Sequence, residues 1–454
     1  MEQKGSPIAL GTEKVGKLLM QYAIPAIIAM TASSLYNITD SIFIGHGVGA
    51  LAISGLALTF PLMNLAAAFG SLVGVGASTL MSVRLGQKDY DTANKILGNV
   101  FILNIILGLA YTVVVLLFLD PILYFFGASD ATLPYAHQYM VVILLGNVVT
   151  HMYLGLNAML RSTGNPQKAM YAMLISVLIN VVLNPLFIFV FKWGIQGSAF
   201  ATVISQTLML IWQINIFSNK KHFIHLKKGT FRLQRKIVVD SMAIGLSPFM
   251  MNAASCVIVV IINQGLIQYG GDLAVGAYGI VNRVIFLFVM IVMGVNQGMQ
   301  PIAGYNFGAG QYGRVTEVLK KTILMATCIM TLGFIIGEFF SQEVASAFTT
   351  DKTLIGLSAQ GLRIVVIFFP IVGFQMVTSN FFQSIGMAGK AIFLSLTRQL
   401  LFLLPCLLIL PQIYGVKGVW YSMPSADLAA SVVSVFMLVS QYRKFKIREE
   451  RLVV

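Results

Sequence analysis

Apolar runs of about 20 residues recur along the whole chain, and no other feature of the sequence restricts the fold as strongly. A helix of that length crosses the hydrocarbon core of a bilayer, where every backbone N–H and C=O must be satisfied within the protein. Repeated runs therefore predict a bundle of membrane-spanning helices. Twelve such runs occur, around residues 18–38, 51–80, 93–118, 135–158, 169–191, 197–217, 241–267, 273–303, 322–340, 358–382, 391–410 and 418–440.

The composition agrees with this interpretation. Hydrophobic residues make up 57% of the 454 residues and charged residues only 10%. Soluble globular chains have about 45 to 50% apolar and about 25% charged residues. The predicted fold class is therefore an all-α integral membrane protein with twelve transmembrane helices.

Lys and Arg fall mainly in alternate loops. Of the 30 residues of these two types, 24 lie before the first run, in the even-numbered loops or in the C-terminal tail. The opposite loops hold only Lys192, Lys352 and Lys417. Because cytoplasmic loops are enriched in Lys and Arg, both termini are predicted to be cytoplasmic. The net charge of +14 is thus explained by topology, and no nucleic-acid partner is predicted.

The chain contains an internal sequence repeat of two copies. The segment LGQKDYDTANKIL from Leu85 returns as FGAGQYGRVTEVL from Phe307, and RSTGNPQKA from Arg161 returns as QSIGMAGKA from Gln383, both with a shift of 222 residues. Six helices per copy give both copies the same polarity, which predicts two lobes related by a pseudo-two-fold axis along the membrane normal. The predicted boundaries are 1–218 for the N-terminal lobe, 219–236 for a cytoplasmic basic linker and 237–454 for the C-terminal lobe.

The linker mixes seven Lys and Arg residues with Phe223 and Phe231. Nucleic-acid binding is one interpretation of such a segment. A juxtamembrane basic cluster near anionic lipid is the favoured one, since each cation there contributes about 1 kcal/mol and also sets the topology.

Asp40 lies inside the first apolar run, in the stretch LYNITDSIFIG. An aspartate at the centre of a membrane helix costs about 2.5 to 3.5 kcal/mol on insertion scales, so it is a functional candidate by default. Tyr36 lies one turn earlier on the same helix face and offers a hydrogen bond. The alternative is an aspartate at the extracellular mouth that is simply wetted.

Polar residues at four-residue spacing mark one face of each of two predicted helices. They are Ser176, Asn180 and Asn184 in the fifth helix and Ser198, Thr202 and Gln206 in the sixth. Pro185 removes the amide that would bond the carbonyl of Val181, and a free carbonyl beside amide oxygens suits a cation. Each polar residue taken singly is explained equally well as a bridge between helices, worth about 0.6 kcal/mol.

The second half has a cationic interior. Arg283, Arg363 and Arg398 lie in predicted spans, against one deep acid, Asp427. Because a buried charge needs a partner, Asp427 is predicted to form a structural ion pair with one of these arginines. Arg283 and Arg398 are the main candidates.

Several motifs resemble one known family. The stretches LYNITDSIFIGHGVGALAISGLA, LGQKDY, LRSTGNP, LNPLFIFVFKWGIQGSAFAT, VNQGMQPIAGYNFGAG and SIGMAGKA resemble the multidrug and toxic compound extrusion (MATE) family, in its DNA-damage-inducible F branch. The resemblance implies the two-lobed MATE fold of the MOP superfamily. It also implies a monomeric antiporter of the prokaryotic inner membrane that expels amphipathic, often cationic compounds in exchange for H+ or Na+, without ATP or a cofactor.

The resemblance also assigns site residues. The family's first-lobe cation site falls on Asp40, Asn180, Asn184 and Thr202, with Tyr36 and Asn157 as hydrogen-bonding support. Many relatives of this branch have an aspartate where this chain has Asn184. With a single carboxylate the choice between H+ and Na+ stays open, and Na+ at Asp40 is the only metal ion implied.

Three other functions compete with drug efflux. A flippase for lipids or lipid-linked saccharides of the same superfamily is motivated by the arginines of the second half. A membrane-embedded enzyme lacks support, because the spans contain no His/Asp/Glu cluster or nucleophile motif. A channel is disfavoured by the two-lobe repeat with one deep acid.

Overall fold

A computed structural model describes residues 7–220, 222–227 and 229–453 of the chain. These residues form helices and connecting turns, without a strand among them. Three of the lysines that predict the membrane topology lie outside the described residues; they are Lys4, Lys221 and Lys228.

Twelve long helical elements follow one another along the described chain. They are α1 Val15–Gly47, α2 Ala50–Gly86, α3 Tyr90–Leu117, α4 Leu133–Leu145 with Asn147–Ser162, α5 Pro166–Val190, α6 Ile195–Ser218, α7 Arg235–Gly271, α8 Leu273–Gly308, α9 Tyr312–Phe339, α10 Lys352–Val366 with Phe369–Ser384, α11 Ala388–Tyr414 and α12 Val416–Val453. Short helices occupy Ala9–Thr12, Leu119–Phe125 and Ser341–Ser346.

Ten of these elements are single helices long and apolar enough to cross a membrane, and counting each bent pair as one span gives up to twelve. The predicted all-α membrane class is confirmed. The two bent elements, α4 and α10, turn by 55° and 56°. In α10 the second helix starts at Phe369, and Pro370 in its first turn has no N–H that could continue the hydrogen bonding of the first helix. In α4 the bend is at Gly146, where an added Cβ would lie 2.4 Å from the Val203 side chain of α6.

The sequence repeat is also a repeat of helix boundaries. Both ends of α3 and α9 differ by the same 222 residues as the motifs. The left-handed backbone of Lys88 (φ 60°) returns at Gly310 (φ 73°), and that of Gly164 (φ 93°) returns at Gly386 (φ 75°). The duplicated segments therefore end their helices with the same turns, while the lobe boundaries at 218 and 237 stay a prediction from sequence.

Contacts divide the described chain into two compact units. Unit 1 holds residues 7–12 and Ile28–Phe249, and unit 2 holds Glu13–Ile27 and residues 250–453. The boundaries between the two units lie inside α1 and inside α7. Each boundary comes shortly after a proline, Pro25 in α1 and Pro248 in α7, and these two prolines are 223 residues apart, close to the repeat shift. The first turns of α1 thus pack with the second half of the sequence, where Gly298 of α8 approaches the backbone of Ala23.

In unit 1, glycines bring α2 and α7 into backbone contact. A Cβ added at Gly76 would lie 1.9 Å from the carbonyl oxygen of Ser241, and one added at Gly245 would lie 1.8 Å from that of Leu72. Small residues allow such close approach between membrane helices, where packing rather than the hydrophobic effect drives association. This crossing places the start of α7 firmly within unit 1.

We expect Gly245→Ala to lower the free energy of unfolding by about 1 to 3 kcal/mol, because the new methyl group meets backbone that cannot move aside. Gly279→Ala in α8 is the matched control, since an added Cβ there meets no atom within 4 Å. Thermal unfolding of the purified variants in detergent measures both. Equal melting temperatures for the two variants would contradict the close crossing.

Candidate functional site

Asp40 is buried within unit 1 and accepts two hydrogen bonds from neutral side chains. Its exposed fraction is 5%. Asn184 of α5 donates through Nδ2 to Oδ1, and Ser198 of α6 donates through Oγ to the same oxygen at 2.5 Å. Among the described residues, Asp40 has no Lys, Arg or His in an ion pair. A buried carboxylate without a cation is costly, so this group favours the uptake of a positive charge.

A second layer of hydrogen bonds lies one helical turn away and is centred on Thr202. The Thr202 hydroxyl donates to the carbonyl oxygen of Ser198 at 3.2 Å, so its oxygen is left to accept from other groups. Asn180 Nδ2 donates to it at 3.1 Å, and Tyr36 Oη lies 2.6 Å away. Because the Thr202 proton is already used, Tyr36 is the donor in that contact.

The two layers follow from the spacing of residues on three helices. Each helix contributes one residue to each layer, four positions apart in sequence, which is one turn of an α-helix. The pairs are Tyr36 and Asp40 on α1, Asn180 and Asn184 on α5, and Thr202 and Ser198 on α6. We call these six residues the α1–α5–α6 cluster.

Beyond Asn184 the fifth helix changes its hydrogen-bond pattern. Pro185 has no N–H, and residues Leu186–Val190 form a π-helical turn that ends with a bond from the amide of Phe191 to the carbonyl oxygen of Leu186 at 3.0 Å. Such turns widen the helix and occur frequently at functional sites. The cluster therefore sits next to a segment of α5 that is wider than a regular α-helix.

One polar atom of the cluster has no partner. Asn184 is fully buried, and its Oδ1 accepts no hydrogen bond among the described residues. Leaving such an acceptor unsatisfied in a buried site costs about 1 to 3 kcal/mol. A donor or a cation next to Asn184 Oδ1 and Asp40 would remove this cost.

The structure brings together five of the six residues assigned to this site from sequence. The exception is Asn157, whose Nδ2 donates to the carbonyl oxygen of Ala169 at 2.8 Å and whose Oδ1 accepts from Arg161 Nη1 at 2.5 Å. Its hydrogen bonds connect α4 to the start of α5, and neither of them reaches Asp40. The expectation that Asn157 supports the Asp40 network therefore does not match its placement.

Ser198 is the residue that the assignment from sequence omitted. It is fully buried and donates directly to the carboxylate. The signal was present, because Ser198 stands one turn from Thr202 in the polar stripe of α6. Spacing alone did not show which end of that stripe faces Asp40.

In unit 2, Asp427 pairs with Arg398. The Nε atom of Arg398 in α11 lies 2.5 Å from Oδ1 of Asp427 in α12, and the Asp427 side chain is only 3% exposed. Arg283 is exposed and Arg363 donates through Nε to Ser341 Oγ at 2.8 Å. Of the candidate arginines, Arg398 is thus the partner of Asp427, and the expectation that named Arg283 is not met.

The family model described as MatE matches residues 25–186 and 243–408, which is most of the chain. The chain belongs to the MatE family. The matched ranges include Asp40, Asn180 and Asn184, whereas Ser198 and Thr202 fall between the two ranges. Members of this family are membrane transporters, as the predicted resemblance to the MATE family implied, while the assignment to one branch stays a prediction.

The MATE assignment is supported along the full length. The multidrug export protein MepA of Staphylococcus haemolyticus is 26% identical over 437 residues, covering 96% of each chain. MepA of Staphylococcus aureus is 27% identical over 424 residues, covering 93% of each. An outward-facing multidrug resistance MATE family transporter of the MOP superfamily has the same fold, with a TM-score of 0.91, 24% identity and coverage of 98% of this chain and 100% of the other. A crystal structure of MATE in complex with MaL6 gives a TM-score of 0.91 at 25% identity, covering 98% and 99%.

We expect Asp427→Asn to lower the free energy of unfolding by about 3 kcal/mol, because it leaves the Arg398 guanidinium without its carboxylate inside the membrane. The double variant Asp427→Asn with Arg398→Gln removes both charges and should recover most of that loss. Arg283→Gln, at an exposed position, serves as the control. A wild-type melting temperature for Asp427→Asn would show that the pair adds nothing to stability.

Proposed function

We propose that this MATE protein is a secondary multidrug antiporter that expels amphipathic, often cationic compounds in exchange for H+ or Na+. The observation that carries the proposal is Asp40, a membrane-buried carboxylate whose donors in the described part of the chain, Asn184 and Ser198, are both neutral. The relatives named as multidrug export proteins support the substrate class. In this proposal the protein works as a monomer, uses no ATP and needs no cofactor beyond the coupling ion.

Coupling follows from competition for the Asp40 carboxylate. When Asp40 is ionised, Asn184 and Ser198 both donate to it and tie α1 to α5 and α6. A proton or Na+ that neutralises Asp40 weakens both bonds, since a neutral carboxyl is a poorer acceptor than a carboxylate. The helices then favour a different arrangement, and an ion that binds one arrangement better shifts the population toward it.

Both coupling ions have a place in the cluster. Carboxylate, amide and hydroxyl oxygens are ligands that hard cations such as Na+ prefer. The unpartnered Asn184 Oδ1 is one such oxygen beside Asp40. A proton on Asp40 would use Asn184 Oδ1 as its hydrogen-bond acceptor, once the Asn184 amide group has rotated by about half a turn. In this proposal Asn184 Oδ1 serves either ion, as a ligand to Na+ or as the acceptor for the Asp40 proton.

The arginines of unit 2 motivate the alternative of a flippase for lipids or lipid-linked saccharides. A pyrophosphate headgroup would need free guanidinium groups. Arg398 is neutralised by Asp427 and offers no free charge to such a headgroup. Arg283 and Arg363 are both exposed, and Arg363 also donates to Ser341 Oγ. The preference for efflux of cationic compounds rests on the Asp40 carboxylate and on the relatives named as multidrug export proteins.

We expect Asp40→Asn to abolish efflux driven by an ion gradient while the protein still folds, because the change removes a buried charge without stranding its partner. Glu343→Gln, which changes an exposed acid in a short loop helix, is the control. Dye transport into vesicles with an imposed pH or sodium gradient measures both. Dye pumping by Asp40→Asn at wild-type protein levels would overturn the proposal.

We expect Asn184→Asp to change the ion preference toward Na+. A second carboxylate beside Asp40 attracts a cation more strongly, and a gain of about 1.4 kcal/mol already tightens binding about tenfold. Asn157→Asp is a control that adds a carboxylate outside the cluster. Efflux is compared under a sodium gradient and under a pH gradient. An unchanged ratio of the two rates in Asn184→Asp would contradict a role for this position in ion choice.

The chain is a multi-pass membrane protein, and we propose that both termini and the linker 219–236 face the cytoplasm. A cysteine placed at the exposed Lys227 should resist an impermeant thiol reagent on intact cells, whereas one at Lys192 should react. The native Cys256, Cys328 and Cys406 are first replaced by serine. Labelling at Lys227 with protection at Lys192 would reverse the orientation.

A further inference from the structure

The basic linker between α6 and α7 is held against unit 1 rather than hanging free. Its described residues, 219–220, 222–227 and 229–236, lie within unit 1. Two buried asparagines of α3 bind its backbone. Asn94 Oδ1 accepts from the amide of His225 at 3.0 Å, and Asn99 Oδ1 accepts from the amide of Gln234 at 2.9 Å. Asn99 Nδ2 also donates to the carbonyl oxygen of Arg232 at 3.1 Å.

Packing adds to these hydrogen bonds. Gly98 stands between the two asparagines in sequence, and a Cβ there would lie 2.3 Å from the carbonyl oxygen of Thr230. Aromatic pairs flank this contact. Phe231 meets Phe101 of α3 with ring centroids 6.0 Å apart, and Phe223 meets Tyr90 at 5.4 Å. The linker is therefore a fixed arm along the first turns of α3.

This arm carries a set of exposed cations without anionic partners among the described residues. They are Lys220, Lys227, Arg232, Arg235 and Lys236. Arg235 and Lys236 open α7, whose first turn has no acid, although a helix N-terminus favours negative charge. Burial lowers the pKa of His222, and the positive charges of Lys168 and His225 in the same region lower it further. The positive charge is thus concentrated and not neutralised by the protein.

Large apolar side chains are exposed between the cations. Phe223, Phe231 and Leu233 are 46%, 40% and 45% exposed. A surface that alternates cations with partly exposed aromatic and aliphatic groups matches a lipid interface, where the rings lie at headgroup level and the cations meet phosphate. A nucleic-acid surface would use the cations but gain nothing from Leu233.

We propose that the linker arm is a binding surface for the phosphate groups of anionic glycerophospholipids in the membrane leaflet next to it. Its backbone is held in place before the lipid arrives, so lipid binding does not require the arm to become ordered. The inference is independent of the coupling ion and of the exported compounds.

Lipid binding is tested on the full-length protein purified in an uncharged detergent. Dioleoyl phosphatidylglycerol is titrated in, with dioleoyl phosphatidylcholine as the reference lipid, and binding is read from the shift in melting temperature. The variant Lys227→Gln, Arg232→Gln, Arg235→Gln removes three arm cations. The variant Lys192→Gln, Lys352→Gln, Lys417→Gln removes the same number from the opposite loops.

We expect phosphatidylglycerol to bind wild type and the opposite-loop variant equally, and to bind the arm variant about a hundredfold more weakly, from about fivefold per cation. Asn99→Ala keeps every charge but frees the backbone of the arm, and its binding should fall several-fold. If Asn99→Ala does not fold, the two charge variants decide. Equal binding by the arm variant would overturn the proposal. Equally tight binding of inorganic phosphate, or displacement of the lipid by single-stranded RNA, would overturn it as well.

Discussion

The hydrocarbon interior of a membrane offers no hydrogen-bond partner, and this constraint governs where polar groups occur in the protein. Backbone groups are satisfied by continuous helices, so a proline or a glycine in a span changes the local structure visibly. The π turn after Pro185 and the bend before Pro370 are two such responses. Side chains obey the same rule, because Asp40 and Asp427 each sit where another side chain donates to the carboxylate.

The two acids meet this constraint in different ways. Asp427 has a guanidinium partner, so its charge is balanced within the protein at all times. Among the described residues, Asp40 has only an amide and a hydroxyl as partners, which orient toward the charge without cancelling it. A balanced pair has no reason to exchange ions, whereas an unbalanced carboxylate does. The two halves of the repeat thus share helix boundaries, while one holds a carboxylate paired with a guanidinium and the other holds a carboxylate bound by an amide and a hydroxyl.

Much of the fold could be predicted from sequence, because hydrophobic length and helical periodicity are local properties. The spans, the repeat and the stacking of Asn180 over Asn184 all follow from them. The partners across helices could not be predicted in the same way. Periodicity shows which face a residue shares, but the rotation of each helix decides whether Ser198 or Asn157 reaches Asp40. The same uncertainty applied to Arg398 and Arg283, which periodicity could not separate.

The division of α1 between the two units has a consequence for how the chain is made. Residues 13–27 leave the ribosome early, yet the residues they pack against begin at Met250. During synthesis from the N-terminus, this segment must wait until the entire stretch from Ile28 to Phe249 has been translated and inserted. Unit 1 can assemble while the ribosome is still working. Unit 2 depends on segments that precede and follow the stretch from Ile28 to Phe249, so its assembly is a late event. Until then, residues 13–27 lack the partners against which they pack.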